Sequence, residues 1–176
     1  MNGMKNNIEM AKEIIKSVFP EHCTYDDMRY ARLHSTGEEF KKRYGVHIEA
    51  GCFRYTMIPQ GCDFVIKFGK DKYGNRQCAR EQAIYRKSVE ADLSEYFAKL
   101  YGTFRYHNHI FYVFQKVDMS GVRGHFSTRN QALRDFISEN DICDLHGENY
   151  GKINGRPVLC DYAGLTESEW QANCRW

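Results

Sequence analysis

No run of about 18 apolar residues occurs in the 176-residue chain, so no segment of it is expected to span a membrane. The opening MNGMKNNIEMAKEIIKSVF lacks the apolar centre of a secretory leader. Seven cysteines are present, an odd number, and no C-x-x-C pair or Cys/His cluster has zinc spacing. Scattered thiols of this kind fit a reducing compartment, so the expected location is cytoplasmic. No basic block stands out either. Lys and Arg number 25 against 23 Asp and Glu, a formal net charge of +2, which removes nucleic acid as the first partner to consider. Internal repeats and low-complexity tracts are also missing.

What is present is aromatic and β-rich. Twelve Tyr and eleven Phe sit in a chain that is 42% hydrophobic, enough for a real core. Residues 6–19 place Ile8, Ala11, Ile14, Ile15, Val18 and Phe19 at helical spacing, closed by Pro20. A second helix is expected over 25–33 after a Thr24 cap, and a third from Thr36–Glu39 to near Gly45. From Val46 the period changes. VHIEAG, CFRYTMIP and CDFVIKF read as three strands, with Gly51 in the first turn and Pro59-Gln60-Gly61 in the second. Residues 69–75 read as a polar loop, 76–91 as a helix, 93–100 as a further helical piece, and TFRYHNHIFYVFQKV as two strands. A glycine-containing loop over 117–127 precedes a helix capped by Ser127 or Thr128 and running to about Glu139. His107, His109, His125 and His146 are expected as surface or loop residues, with contact to phosphate the alternative for His146, and Cys143 and Cys160 as small buried packing residues.

The chemistry concentrates in DLHGENYGKINGRPVLCDYAG, Asp144 to Gly164. Asn154-Gly155 between two apolar runs is a strong signal for a two-residue hairpin, because both turn positions need positive φ. Such a hairpin brings Asn149, before its first strand, beside Asp161, after its second. One amide and one carboxylate oxygen then suit magnesium, which takes one or two protein ligands and fills its shell with phosphate and water. Asp144 lies close upstream, placed to accept a hydroxyl proton.

These residues resemble the protein-kinase superfamily over residues 46–164. Asp144-Leu145-x-x-x-Asn149 is similar to its catalytic loop, Asp161-Tyr162-Ala163-Gly164 to its metal-binding D-F-G, and Val65-Ile66-Lys67 to its V-A-I-K strand. The resemblance implies an α+β fold. Residues 1–45 would form an N-terminal helical extension. Residues 46–118 would form a kinase-like N-lobe of antiparallel sheet plus one helix, and 119–176 a severely reduced C-lobe. It implies Lys67 on the nucleotide phosphates and Glu81 as the helix carboxylate holding Lys67, with Glu90 as the other choice. It further implies Asp144 as catalytic base and Asn149 and Asp161 as magnesium ligands. Gln115 to Val117 would form the hinge against adenine, with Phe114 as gatekeeper, and Gly51-Cys52-Phe53 the turn over the phosphates. The cofactors implied are ATP and magnesium.

The departures shape the functional expectation. Gly51 stands nearly alone where the family carries several glycines, and Ile142-Cys143 replaces the His-Arg before the catalytic Asp. Asp144-Leu145-His146 is similar to the small-molecule, aminoglycoside-phosphotransferase-like branch, whereas Asp161-Tyr162-Ala163-Gly164 looks like the protein-kinase branch. Twelve residues follow Gly164, where Thr166–Glu169 forms a capping box for one more helix. The resemblance therefore points to a minimal kinase, similar in economy to truncated kinases of phages and bacterial effectors, acting in the cytosol, including that of a host cell. The first expectation is transfer of the γ-phosphoryl of ATP to a hydroxyl of a protein substrate, a serine or threonine. The alternatives are a catalytically inactive module that binds and inhibits a partner protein, and a small-molecule phosphotransferase.

Overall fold

A computed structural model describes residues 2–19 and 38–164, with side chains from residues 5–19 and 41–164. The helix expected over 25–33 and the capping box at Thr166–Glu169 lie outside the described residues. The chain divides into two compact units, Met1–Cys78 with Leu100–Lys116, and Ala79–Lys99 with Val117–Trp176. The fold is α+β, with a five-stranded antiparallel sheet and several helices.

The first unit is built on that sheet. Helix α1 (Asn2–Val18) and the short helix α2 (Glu38–Tyr44) precede β1 (Val46–Ala50), β2 (Arg54–Pro59) and β3 (Phe64–Gly69). Strands β4 (Leu100–Tyr106) and β5 (His109–Gln115) complete it in the order β1-β2-β3-β5-β4, every pair antiparallel. β3 therefore lies at the centre, as the apolar β-branched run Phe64-Val65-Ile66 foretells. The stripe on α1 finds its place on β4 and β5. Ala11 and Ile15 are completely buried, joining Met57, Phe64, Ile66 and Phe111 in one core. Burying an isoleucine of this kind contributes about 1.5–3 kcal/mol. The Tyr106 hydroxyl donates to the Phe19 carbonyl at 2.8 Å, which fixes the end of α1. Gly102 (φ +156) lets α1 come close: a Cβ there would meet Ile8 Cδ1 at 2.5 Å.

Helix α3 (Lys72–Glu90) starts earlier than the sequence suggests. Gly74 lies in the stretch expected as a polar loop, 69–75, but the Asp71 carboxylate accepts from the Tyr73 and Gly74 N–H groups, both at 2.9 Å, and opens the helix ahead of it. The helical piece expected over 93–100 is reduced to one 3-10 turn, Ser94–Tyr96. Ala98 N–H donates to the Leu159 carbonyl at 2.7 Å, so tertiary pairing extends the backbone there, and Leu100 already belongs to β4.

The second unit gathers around Phe97, which meets Phe136 and Tyr162 edge-on at 5.5 and 5.0 Å. Helix α4 (Gln131–Glu139) supplies Phe136 and Leu133. Its cap is Asn130, whose side chain accepts from Leu133 N–H; Thr128 instead accepts from Asn130 N–H. The hairpin of β6 (Tyr150–Ile153) and β7 (Arg156–Leu159) closes through Asn154 (φ 52) and Gly155 (φ 79), the turn the Asn-Gly pair requires. Two further expectations fail. His109 is buried rather than exposed, and Cys143 is exposed with Cys160 half-buried. Among the described residues no helix is long and apolar enough to cross a membrane.

Candidate functional site

The hairpin does the positioning in the second unit. Strands β6 and β7 pair Tyr150 with Leu159, so the residues just outside the ladder, Asn149 and Cys160-Asp161, lie at the open end. The Asn149 carbonyl accepts from Cys160 N–H at 2.9 Å and from Asp161 N–H at 3.1 Å. Its side chain works in the opposite direction, Nδ2 donating to the Asp144 carbonyl at 2.9 Å. One buried asparagine thus holds Asp144 and Asp161 together. Gly164 closes the group: a Cβ there would lie 3.8 Å from Asp144 Cβ.

Asp144 is exposed and carries a partner on its own loop. His146 Nε2 lies 2.9 Å from Asp144 Oδ1. The loop itself is well tied. Asn149 N–H donates to the His146 carbonyl at 2.9 Å, Phe126 N–H to the Leu145 carbonyl at 2.7 Å, and His125 pairs with His146 as an isolated bridge. Arg80, on α3, ties both flanks. Its guanidinium donates to the carbonyls of Gly164 at 3.2 Å, Asn140 at 3.1 Å and Asp141 at 3.3 Å. Those carbonyls flank Asp144 on one side and Asp161 on the other. Arg80 does not emerge as a site residue from the sequence, and His146 emerges only as the alternative of a contact to phosphate. Asp-x-His in a loop is a usable signal for the second; an arginine on a helix gives none.

Glu81, also on α3, is completely buried, whereas Glu90 is exposed. Burial of a carboxylate is tolerated only with a partner. Val117 packs on Gly151, where a Cβ would stand 2.7 Å from Val117 Cγ2. Asp118 and Lys152 exchange two backbone hydrogen bonds, at 3.0 and 2.8 Å, beside it.

In the first unit Lys67 sits on β3 between Thr56 and Tyr112, buried, with Nζ 5.0 Å from the centre of the Phe114 ring. Gln115 ends β5 opposite Phe64. The β1–β2 turn carrying Gly51 and Phe53 is bound to the strand end and to α3. Gly51 N–H donates to the Arg54 carbonyl at 3.0 Å, Lys70 N–H donates to the Phe53 carbonyl at 2.9 Å, and the Lys70 ammonium donates to the Gly51 carbonyl. Gly74 has to be glycine for α3 to pass under Phe53. An added Cβ would stand 2.8 Å from Gly69 Cα and 2.9 Å from the Phe53 carbonyl carbon.

Among the described residues, no group of three or more His, Cys, Asp and Glu side chains is arranged to hold a metal. A cation bound by Asn149 and Asp161 would need further oxygens from outside the protein. That donor set fits magnesium, which prefers hard oxygen and keeps most of its shell for phosphate and water. Because Nδ2 of Asn149 is committed to a carbonyl, its amide oxygen is turned to the other side. No protein-family model matches the sequence, and no curated protein matches it.

Proposed function

We propose that the chain is a kinase-like phosphotransferase that binds Mg·ATP and moves the γ-phosphoryl to a hydroxyl of a protein substrate. The observation that carries this reading is the doubly used Asn149, which joins Asp144 to Asp161 through two hydrogen bonds and takes a third from Cys160 N–H. Supporting it are a lysine on the central strand and a buried glutamate on the following helix, in the order the kinase superfamily uses.

Each residue then has a task. Asp144 orients the acceptor hydroxyl and takes its proton as the new oxygen–phosphorus bond forms and the bond to ADP breaks. Asn149 and Asp161 present oxygens to magnesium, which when bound offsets charge on the β- and γ-phosphates. Lys67 neutralises phosphate charge. Gln115 and Val117 offer backbone groups to the base, and Gly51 to Phe53 cover the phosphates.

A second reading, a catalytically silent module that binds a partner protein, is favoured by the β1–β2 turn. Its Gly51 N–H is already used internally, at 3.0 Å to Arg54, and one glycine is a sparse phosphate cradle. Radiolabel transfer from ATP with magnesium separates the two. The expected result is transfer by wild type that is lost in Asp161→Ala and falls steeply in Asp144→Ala. Transfer that survives both substitutions refutes the site; nucleotide binding without transfer supports the silent module.

A further inference from the structure

We infer that His146 is a positioning residue for Asp144, holding the carboxylate so that one defined oxygen faces the acceptor. The inference rests on the phosphotransfer reading above. Its basis is the 2.9 Å contact between His146 Nε2 and Asp144 Oδ1.

Two dispositions of such a pair are chemically possible. In one, the imidazole is the base and the carboxylate steadies it. In the other, the carboxylate is the base and the imidazole steadies it. The second ring nitrogen decides between them. His146 Nδ1 faces its own backbone, accepting from Glu148 N–H at 3.4 Å. A nitrogen that accepts from an amide carries no proton, so the neutral ring bears its hydrogen on Nε2 and donates it to Asp144. That leaves Nδ1 turned inward, away from any acceptor hydroxyl, and Asp144 Oδ2 as the oxygen that receives the proton.

The backbone under His146 is suited to this work. Its carbonyl accepts from Asn149 N–H at 2.9 Å, and it forms the bridge to His125. The backbone that carries the imidazole is thus anchored to the same asparagine that holds Asp144 and Asp161. Asp144 is otherwise exposed, at 52% of its side chain, and would sample several rotamers without such a donor.

The test joins a spectrum to a rate. Long-range proton–nitrogen NMR on histidine-labelled full chain, with His146 assigned by its loss in His146→Gln, should show the Nε2–H form, and that signal should change in Asp144→Ala. An Nδ1–H ring, or a signal indifferent to Asp144→Ala, overturns the inference. In steady-state transfer with radiolabelled ATP, His146→Ala should lower kcat about tenfold, the loss typical of a supporting partner, with KM for ATP unchanged. His146→Gln, whose side-chain N–H can replace Nε2–H, should restore most of kcat. A wild type that transfers phosphoryl while His146→Ala keeps full kcat overturns the positioning role alone. A wild type that transfers none overturns the phosphotransfer reading and this role with it.

Discussion

Gly74→Ala sets two effects against each other, and the structure decides the sign. In an exposed helix interior alanine is favoured over glycine by about 1 kcal/mol. At position 74 the new Cβ would point into backbone. It would lie 2.8 Å from Gly69 Cα and 2.9 Å from the Phe53 carbonyl carbon, closer still to the Phe53 oxygen. No flexible side chain can swing aside, so either α3 or the β1–β2 turn must shift. Overpacking of this sort costs about 1–3 kcal/mol. Moving the Phe53 carbonyl also weakens its 2.9 Å bond from Lys70 N–H, worth about 1 kcal/mol. The net expectation is a loss of about 2 kcal/mol, the overpacking and hydrogen-bond terms outweighing the helix gain. Urea denaturation followed by far-UV circular dichroism measures it. Because the displaced turn is the one assigned to the phosphates, ATP affinity should fall as well. An alanine variant as stable as wild type, or more so, refutes the packing argument.

Other perturbations probe separate parts of the chain. Arg80→Ala removes donors from three carbonyls and should destabilise by about 2 kcal/mol, discounted from charged hydrogen-bond values because the carbonyls can rehydrate. Arg80→Lys should recover less than half of the loss, since an ammonium cannot reproduce the planar fork; full recovery would count against the clamp. Gly155→Ala has no steric neighbour within 4 Å, so its cost should be purely conformational, about 1–2 kcal/mol, and Gly155→Asn should cost less. Equal stability of all three would mean that the turn is not held at positive φ. Burial pushes the Tyr85 and Tyr112 hydroxyls above their ordinary range, with the Cys78 thiol adding to the effect at Tyr112. Their folded values lie above the unfolded value of about 10, so the stability they contribute is complete below that pH and is lost as pH rises beyond it. Tyr112→Phe should therefore flatten the alkaline limb of a melting-temperature profile, and an unchanged limb would exclude Tyr112 as a source.

Much of the fold was legible because it is written in local periods. The α1 stripe, the alternation from Val46 to Phe68 and the Asn-Gly turn each specify a backbone form before any tertiary contact is made. The same turn made the meeting of Asn149 and Asp161 legible, since a two-residue hairpin leaves no freedom about which residues share its open end. What stayed hidden depends on distant chain. Gly74 belongs to a stretch that reads as polar loop until Phe53 is seen to pack against it. The stretch after Leu93 looks helical until Leu159 captures the backbone of Ala98. His109 looks like a surface residue because nothing within a few positions shows what will cover it. Within the site, Arg80 binds residues about sixty and eighty-four positions away, a partnership that no spacing rule contains.

The central claim is that Asn149 and Asp161 present oxygen to a magnesium ion that nucleotide completes. Calorimetric titration of a non-hydrolysable ATP analogue, with magnesium and with a chelator, tests it on wild type, Asn149→Ala and Asp161→Ala. Binding that requires magnesium in wild type and weakens at least tenfold in each variant, about 1.4 kcal/mol, is the expected result. Binding indifferent to the metal, or equal in all three proteins, contradicts it.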